Sequence, residues 1–481
     1  MKSNEPEVVE KRRVAKASKI ILVSEIFDRY STAAISTIIL LFLNLKLGYD
    51  KDASTAIYHT FEFVAYFFTI VGGAIADSWL GMWRTIVLTS TVFAVGAFIA
   101  GVATVDSLYL PIHAISIVCL VVLYVSGGCL KPLCSTFGAL QYKPDENKSI
   151  ALYFSLYYFM YNFGSITSRF ISPILRQDVK CFGNDDCFAL AFGIPGIFMI
   201  LVGVLCTIAN RYSVTSQMKG TTLLNVITCI WHAIVTKFKS RKSTQVKKPH
   251  WLDYSADKYG KKLVGETRVI INVIVLYLPI PIFWALFFQQ GSRWVFQAVR
   301  MNGDIGFYTI KPDQFNVVNP LLVLILIPLL EYVIYAQLSK IGIRTALQKV
   351  ALGMVFAGLA FLTSAVVESQ IEMKLLHMGW LLPQYLLMAV GEILITIPLM
   401  HFSYAQAPSD MKTILQSLMM FTIGLGNLIV TVVAGSKLIE SQMYEFILFA
   451  VLMFVDMIIF GLLARRYKTL DVNVHEQTDN K

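Results

Sequence analysis

Long apolar segments recur along the whole chain, and they constrain its fold more than any other feature. Each is roughly 20–28 residues long, and about 20 apolar residues are enough for a helix to cross the hydrocarbon core of a bilayer. Short polar connectors separate them, with one longer connector in the middle. The pattern predicts about twelve transmembrane helices in two groups of six, at 19–46, 55–76, 84–105, 108–138, 149–175, 188–210, 267–290, 315–338, 344–367, 378–405, 411–436 and 441–465.

Composition supports an all-α membrane protein and excludes a soluble globular chain. Of the 481 residues, 56% are hydrophobic and 15% are charged, and the mean hydropathy is +0.63. A soluble domain has about 25% charged residues. We expect five parts: a tail at 1–18, a six-helix bundle at 19–210, a basic linker at 211–266, a second six-helix bundle at 267–465 and a tail at 466–481.

Basic residues gather in the tails and the linker, for example at Lys11, Lys237 and Lys261. By the positive-inside rule, both tails and the linker are cytoplasmic. The net charge of +10 therefore reflects orientation and contact with anionic lipid. Nucleic acid is not an expected partner, because no aromatic residues interleave with the basic ones. The N-terminal tail lacks the apolar run and small-residue site of a cleaved signal peptide.

The first predicted span contains three formal charges, at Glu25, Asp28 and Arg29. An ionisable side chain at mid-membrane costs about 2.5–3.5 kcal/mol on insertion scales. The spacing of i, i+3 and i+4 puts the three on one helix face, where they can neutralise one another. We therefore expect this face to line a polar cavity through which a solute moves. The alternative is an ion pair that only holds two helices together.

A second polar stripe lies on the next span. Tyr58, His59, Glu62 and Tyr66 recur every three to four residues, so they share one face of a helix. This face is predicted to point inward.

Two of the seven cysteines, Cys181 and Cys187, lie in the connector between the fifth and sixth spans. The predicted topology places this connector on the outer side, where disulfides form. We therefore predict a disulfide between them. The other cysteines lie in or near apolar spans and show no metal-site spacing, so they are expected to be small core residues.

Three motifs stand in order along the first half of the chain: Glu25–Tyr30 (EIFDRY), Gly72–Thr85 (GGAIADSWLGMWRT) and Tyr157–Ser165 (YYFMYNFGS). In order and spacing they resemble motifs of the proton-dependent oligopeptide transporter family, a branch of the major facilitator superfamily. Phe283–Trp294 and Phe402–Ser409 resemble segments of its animal members. The resemblance implies the major facilitator fold.

The same resemblance implies a bound substrate. Such carriers hold a small peptide zwitterion between the two bundles, with an opposite charge at each end. The substrate carboxylate is assigned to Arg29 and to Lys131 of the fourth span. For Lys131, the alternative is a side chain that extends to the membrane surface. Further substrate contacts are expected from a set of polar and aromatic side chains: Tyr66, Tyr158, Asn162, Trp284, Asn319, Glu331, His401 and Asn427.

Proton coupling is expected from Glu25, Asp28, His59 and Glu62. His59 resembles the second-span histidine of animal members, and an ordinary pKa of about 6.5 suits a proton acceptor. Its alternative role is a hydrogen bond to a neighbouring helix. Glu62 shares the face of His59, so it can also attract an amino group. The proton is the expected coupling ion, with no cofactor and no metal.

The second half departs from the family pattern. His401 stands where the family has a glutamate for the substrate amino group. Asn272 replaces an arginine, which leaves Glu331 without its expected partner. Met419 and Phe288 replace a tryptophan and an aspartate. These changes leave the identity of the solute open.

The resulting hypothesis is a proton-coupled symporter of di- and tripeptides that works by alternating access. The departures raise two alternatives. One is a carrier of another solute, such as a modified peptide, an organic anion or a histidine-like compound; the other is a sensor or scaffold that binds without transport.

An enzyme is not expected, because the sequence has no phosphate-binding glycine loop, no metal-spaced histidine pair and no nucleophile elbow. We expect a multi-pass protein of the plasma membrane rather than of lysosomes. Its partners are expected to be the peptide, protons and lipid, with no obligate protein partner.

Overall fold

A computed structural model describes residues 5–49, 51–143, 146–183, 186–213, 222–240, 248–291, 293–306, 310, 312–408, 411–436 and 441–467. Parts of the predicted tails and linker lie outside the described residues, namely 1–4, 214–221, 241–247 and 468–481. The described chain is almost entirely helical. Its α-helices are α1 (Glu5–Leu41), α2 (Lys51–Ile75), α3 (Met82–Ala103), α4 (Ile112–Ala139), α5 (Asn147–Gln177), α6 (Phe188–Asn210), α7 (Thr222–Ser240), α8 (Ala256–Tyr277), α9 (Ile280–Phe288), α10 (Arg293–Val299), α11 (Val318–Leu329), α12 (Tyr335–Lys340), α13 (Ala346–Ile371), α14 (Leu382–Gln406), α15 (Lys412–Ser436) and α16 (Gln442–Arg466).

Ten helices in the described part of the chain are long and apolar enough to cross a membrane. The number is eleven if the bent pair Trp251–Tyr277 and Ile280–Val299 forms one span. One of the ten, Val318–Lys340, joins α11 to α12 through the π-helical turn Leu330–Ile334. The protein is therefore a multi-pass membrane protein, as predicted.

The predicted span at 149–175 is the exception. It lies within α5, whose 31 residues reach about 46 Å at 1.5 Å per residue. Lys148, Arg169 and Arg176 make it less apolar than the others. It packs against α1, α11 and α14. The side of α5 that faces these helices tolerates polar side chains, whereas its outer side still exposes large apolar side chains such as Phe163 and Phe170.

The helices form two groups that meet along a few helix pairs. Before the linker, α1 packs against α5 and α6, α3 against α4 and α6, and α2 against α4. After it, α13 packs against α14 and α16, and α9 against α15. The groups meet where α2 contacts α15, and where α5 contacts α11 and α14.

Small residues let α2 and α4 approach closely. A Cβ atom added at Gly72 would collide with the backbone of Cys129, and one added at Gly128 would collide with the backbone of Ala65. This close approach needs glycine on both helices. It brings Lys131 of α4 beside the polar stripe of α2.

The two groups are held together toward the end of the bundle that carries the linker, which we call the linker end. There the backbone N–H of Ile414 donates to Asp77 Oδ2 at 3.1 Å. One to two turns deeper, Thr69 Oγ1 donates to the carbonyl of Ser417 at 3.2 Å. The start of α15 is thus fastened to the end of α2.

At the opposite end, Cys181 and Cys187 form a disulfide after α5. The connector between the ninth and tenth predicted spans is short, because α13 ends at Ile371 and a 3₁₀ turn, Met378–Leu381, leads into α14.

Candidate functional site

The charged residues of α1 form an ion pair inside the protein. Arg29 Nε donates to Glu25 Oε1 at 2.8 Å, and both side chains are buried. The guanidinium also lies over the ring of Tyr161, 4.2 Å from its centroid. The spacing i, i+4 therefore produces the neutralising pair that the sequence predicted. A pair that joins two helices does not describe it, since both partners belong to α1.

Asp28 is buried beside this pair without a hydrogen bond of its own. Among the described residues, neither of its carboxylate oxygens has a partner, nor does Glu25 Oε2. Its nearest favourable charges are those of Arg29 and Lys131. Ligand atoms of Glu25, Asp28 and Cys134 lie within 4.8 Å of one another. This grouping suits a proton better than a metal ion, because the guanidinium of Arg29 already occupies one side of it.

Lys131 is the second buried cation. Its Nζ lies 3.7 Å from the centroid of the Tyr66 ring, and the residue is buried within α4 rather than extended to the membrane surface. Opposite it, Glu62 Oε1 accepts a hydrogen bond from Ser36 Oγ at 2.7 Å. Lys131, Glu62 and Ser36 line one cavity, together with Tyr124, whose hydroxyl has no partner among the described residues.

His59 lies on the same stripe of α2. Its ring packs edge-on against Tyr58 at 5.2 Å, and Nδ1 is buried without a partner in the described part of the protein. Glu62 is its nearest acid. Of the predicted proton-coupling residues, Glu62 and His59 therefore lie together on α2, and Glu25 and Asp28 together on α1.

Glu392 of α14 also joins the two helix groups, and the sequence analysis missed it. It is buried and accepts hydrogen bonds from two predicted site residues. The hydroxyl of Tyr158, on α5, donates to Oε1. Asn319 Nδ2, on α11, donates to Oε2 at 2.7 Å. A signal was available: Glu392 is an acid inside an apolar span, the same criterion that identified Glu25.

Two residues of the second half have surroundings that differ from expectation. Glu331 is not without a partner, because Ser155 Oγ donates to its Oε2 at 2.8 Å. The sequence analysis considered only Asn272 and could not foresee a serine 176 positions away. The ring of His401 lies 6.4 Å from that of Phe154, and Nε2 has no partner among the described residues.

The remaining predicted contacts are buried at or near the meeting of the two groups. Asn162 Nδ2 donates to the carbonyl of Tyr158 at 2.9 Å, one turn below on α5. Trp284 Nε1 is buried without a partner in the described residues. Asn427 of α15 is buried directly after Gly426, which packs against the Trp284 side chain.

Two groups of apolar helices with buried charged residues inside them are the architecture of a polytopic membrane protein with a polar internal site. Residues 83–441 match the sequence profile of the POT family (PTR2), and the chain belongs to this family. The family is made up of transporters, which confirms that the protein is not an enzyme.

The chain is similar to several animal proteins. It is 41% identical over 355 residues to human "Solute carrier family 15 member 2", covering 73% of this chain and 49% of the relative. It is 40% identical over 358 residues to "Peptide transporter family 1" of Drosophila melanogaster, covering 74% and 48%. The chain thus spans about half the length of the curated relatives that it matches.

Solved structures show the same fold. The POT family transporter PepTSo superposes with a TM-score of 0.67 at 23% identity, covering 93% of this chain and 97% of the other. An auto-inhibited POT family peptide transporter gives the same TM-score and identity, covering 95% and 98%. The predicted all-α fold of the major facilitator type is confirmed.

Proposed function

We propose that this protein is a proton-coupled symporter of small peptides that works by alternating access. The observation that carries the proposal is the position of Glu392. It is a buried acid of the second half whose hydrogen-bond donors come from α5 of the first half and α11 of the second. A ligand that binds this acid acts directly on the contact between the halves.

The site offers an opposite charge to each end of a peptide zwitterion. Arg29 and Lys131 suit the carboxylate, because a guanidinium binds carboxylates with two parallel hydrogen bonds and an ammonium adds a point charge. Glu392 suits the amino group. Tyr158 and Asn319, now bonded to Glu392, can turn to the substrate amides when an ammonium replaces them on the acid.

Coupling to protons follows from competition for Arg29. In this conformation Arg29 is bonded to Glu25. A substrate carboxylate that binds the guanidinium leaves Glu25 as a buried acid without a counter-ion. A buried carboxylate without a partner is stable only when protonated. Binding of the peptide and uptake of a proton therefore favour each other, with His59, Glu62 and Asp28 as further proton carriers on the path.

We rank the two alternatives below the symporter. A substrate without an amino group was suggested by His401 in place of an acid, but Glu392 offers an acid to the amino group. A sensor or scaffold was suggested by an unpartnered Glu331, which is bonded to Ser155. The similarity to a Drosophila protein that is named as a peptide transporter supports the symporter in addition.

For orientation, we propose cytoplasmic termini and residence in the plasma membrane, without an obligate protein partner. The linker end carries exposed lysines such as Lys239 and Lys261. The disulfide of Cys181 and Cys187 lies at the opposite end. Basic residues favour the cytoplasmic side, and disulfides persist in an oxidising compartment.

The test is uptake of a labelled dipeptide into proteoliposomes, at outer pH values of about 6 and about 8, on either side of the ordinary histidine pKa. We expect saturable uptake that is faster at the acidic pH. Competition by a free dipeptide should exceed competition by its N-acetylated form. Ligand-dependent thermal stabilisation without flux would instead support the sensor, and equal competition would support a different solute.

A further inference from the structure

One face of the linker helix α7 exposes a stripe of large apolar side chains. Ile227, Trp231, Ile234 and Phe238 follow one another at intervals of four, three and four residues, so they share one face. Three of them are more than half exposed: Ile227 by 52%, Trp231 by 69% and Phe238 by 63%. Such a continuous aromatic and aliphatic stripe marks an interaction surface.

This stripe is separate from the packing face of the helix. Val226, Cys229 and Ala233 are buried on the other side of α7. Cys229 and Ala233 form a small core with Leu252 and Val264 of the linker. Ser255 Oγ also donates to the carbonyl of Cys229 at 2.7 Å. The helix is therefore already held in place, and its exposed stripe is available for something else.

The position of α7 identifies what lies opposite the stripe. The helix contacts the turn Ala76–Leu80, which connects the membrane spans α2 and α3. A turn between two spans lies at the membrane surface by geometry. Within it, Trp79 is 70% exposed. Tryptophan is enriched at the boundary between lipid and water.

The charge around the stripe agrees with a lipid surface. Lys237 and Lys239, in the last turn of α7, lie on either side of the stripe and are exposed. Lys258, Lys261 and Lys262 are exposed near the start of α8. Aromatic and aliphatic residues flanked by lysines are typical of helices that lie in the interface of an anionic membrane.

We propose that α7 docks on the anionic surface of the membrane, with Ile227, Trp231, Ile234 and Phe238 inserted among the lipid headgroups and Lys237 and Lys239 bound to acidic lipid. The linker is then anchored to the bilayer at the linker end of the two halves. This proposal does not depend on which solute is carried.

The test uses the full-length protein in vesicles of phosphatidylcholine alone and of phosphatidylcholine with about 30% phosphatidylserine. Trp231→Cys carries an environment-sensitive fluorophore on the stripe. The matched control is Thr228→Cys, an exposed position of the same helix outside the stripe. The parent protein, whose five free cysteines are buried, measures background labelling.

We expect a blue-shifted emission at position 231 and severalfold stronger quenching by nitroxide lipids than at position 228, most of all with phosphatidylserine. The double substitution Lys237→Glu and Lys239→Glu should remove the effect of phosphatidylserine. Equal, water-like emission at both positions in both vesicles would overturn the proposal. So would shielding of position 231 that persists in detergent, because a protein surface would then cover the stripe.

Discussion

The two halves of the site neutralise buried charge in opposite ways. In the first half, Glu25 and Arg29 form a pair within one helix, and Lys131 and Glu62 line a cavity nearby. In the second half, the acid Glu392 is bonded only to neutral donors. The first half holds its charges before a substrate arrives, whereas the second half holds an acid that still lacks a cation.

The contacts of the first half are local in the sequence, whereas those of Glu392 join distant parts of the chain. Glu25 and Arg29 are four residues apart on α1, so their ion pair forms whenever that helix forms. The Glu392 hydrogen bonds join α14 to α5 and α11, and exist only in the assembled protein. Substitutions in the first half should therefore affect substrate binding and the folding of that helix group. Substitutions of Glu392 should affect the contact between the two helix groups.

The largest effect is expected from Arg29→Ala. It removes the guanidinium for the substrate carboxylate and leaves Glu25 buried without a partner, which costs about 3–5 kcal/mol of folding free energy. Uptake should be lost and the unfolding temperature should fall. Arg465→Ala, an exposed arginine, is the control.

A second substitution separates the two roles of Arg29. In the double variant Arg29→Ala with Glu25→Ala, the uncompensated acid is gone, so thermal stability should recover while uptake stays absent. Recovery of uptake would show that Arg29 serves the fold alone, and the two halves would then not divide the substrate charges as proposed.

The next effect is expected from Glu392→Gln, which keeps the shape and removes the charge. A hydrogen bond to a charged group contributes about 1.5–3 kcal/mol, so the KM of a free dipeptide should rise roughly ten- to a hundredfold. An N-acetylated dipeptide should be little affected. Glu372→Gln, at an exposed acid, is the control. An equal change for both substrates would contradict a contact with the amino group.

A smaller change in stability is expected from Lys131→Gln. Lys131 contacts an aromatic ring rather than an acid, and a cation–π contact contributes about 0.5–2 kcal/mol. KM should rise while the unfolding temperature changes less than in Arg29→Ala. The check is uptake kinetics beside thermal unfolding, with Lys340→Gln as an exposed control. A stability loss as large as that of Arg29→Ala would place a strong ion pair at Lys131.

The smallest effect on binding is expected from His59→Gln. If His59 passes protons, the ratio of uptake at acidic and alkaline outer pH should approach one while substrate binding at a fixed pH is retained. His113→Gln, an exposed histidine, is the control. An unchanged pH ratio would assign His59 to a structural hydrogen bond and leave coupling to the carboxylates.

The sequence analysis succeeded where the physical reason is local. The spans follow from the length of apolar runs, and most of their ends agree with the helix ends within a few residues. The exceptions are the first and seventh spans, since α1 begins at Glu5 and α8 at Ala256, and the seventh is divided between α8 and α9. The face shared by Glu25 and Arg29 follows from the helical period, and the structure pairs them at 2.8 Å. The count of apolar spans was less accurate, since α5 contains several charged residues and the predicted span at 267–290 is bent between two helices.

It failed where partners come from distant helices. The sequence analysis considered only His401 for the contact with the substrate amino group and did not include Glu392. An acid in an apolar span is itself a signal of a functional site. Glu331 seemed to lack a partner because Ser155 belongs to the other half of the chain. No spacing within a helix indicates either contact.

By itself the sequence determined where most of the long apolar helices lie, which faces carry charge and which neighbours on one helix form a pair. The helical period of 3.6 residues fixes these properties locally. Only the tertiary structure decided that Glu392 joins Tyr158 and Asn319 across the two halves, and that α7 contacts the turn Ala76–Leu80. Those contacts depend on how helices pack, and a periodic pattern fixes the direction of a side chain but not what it meets.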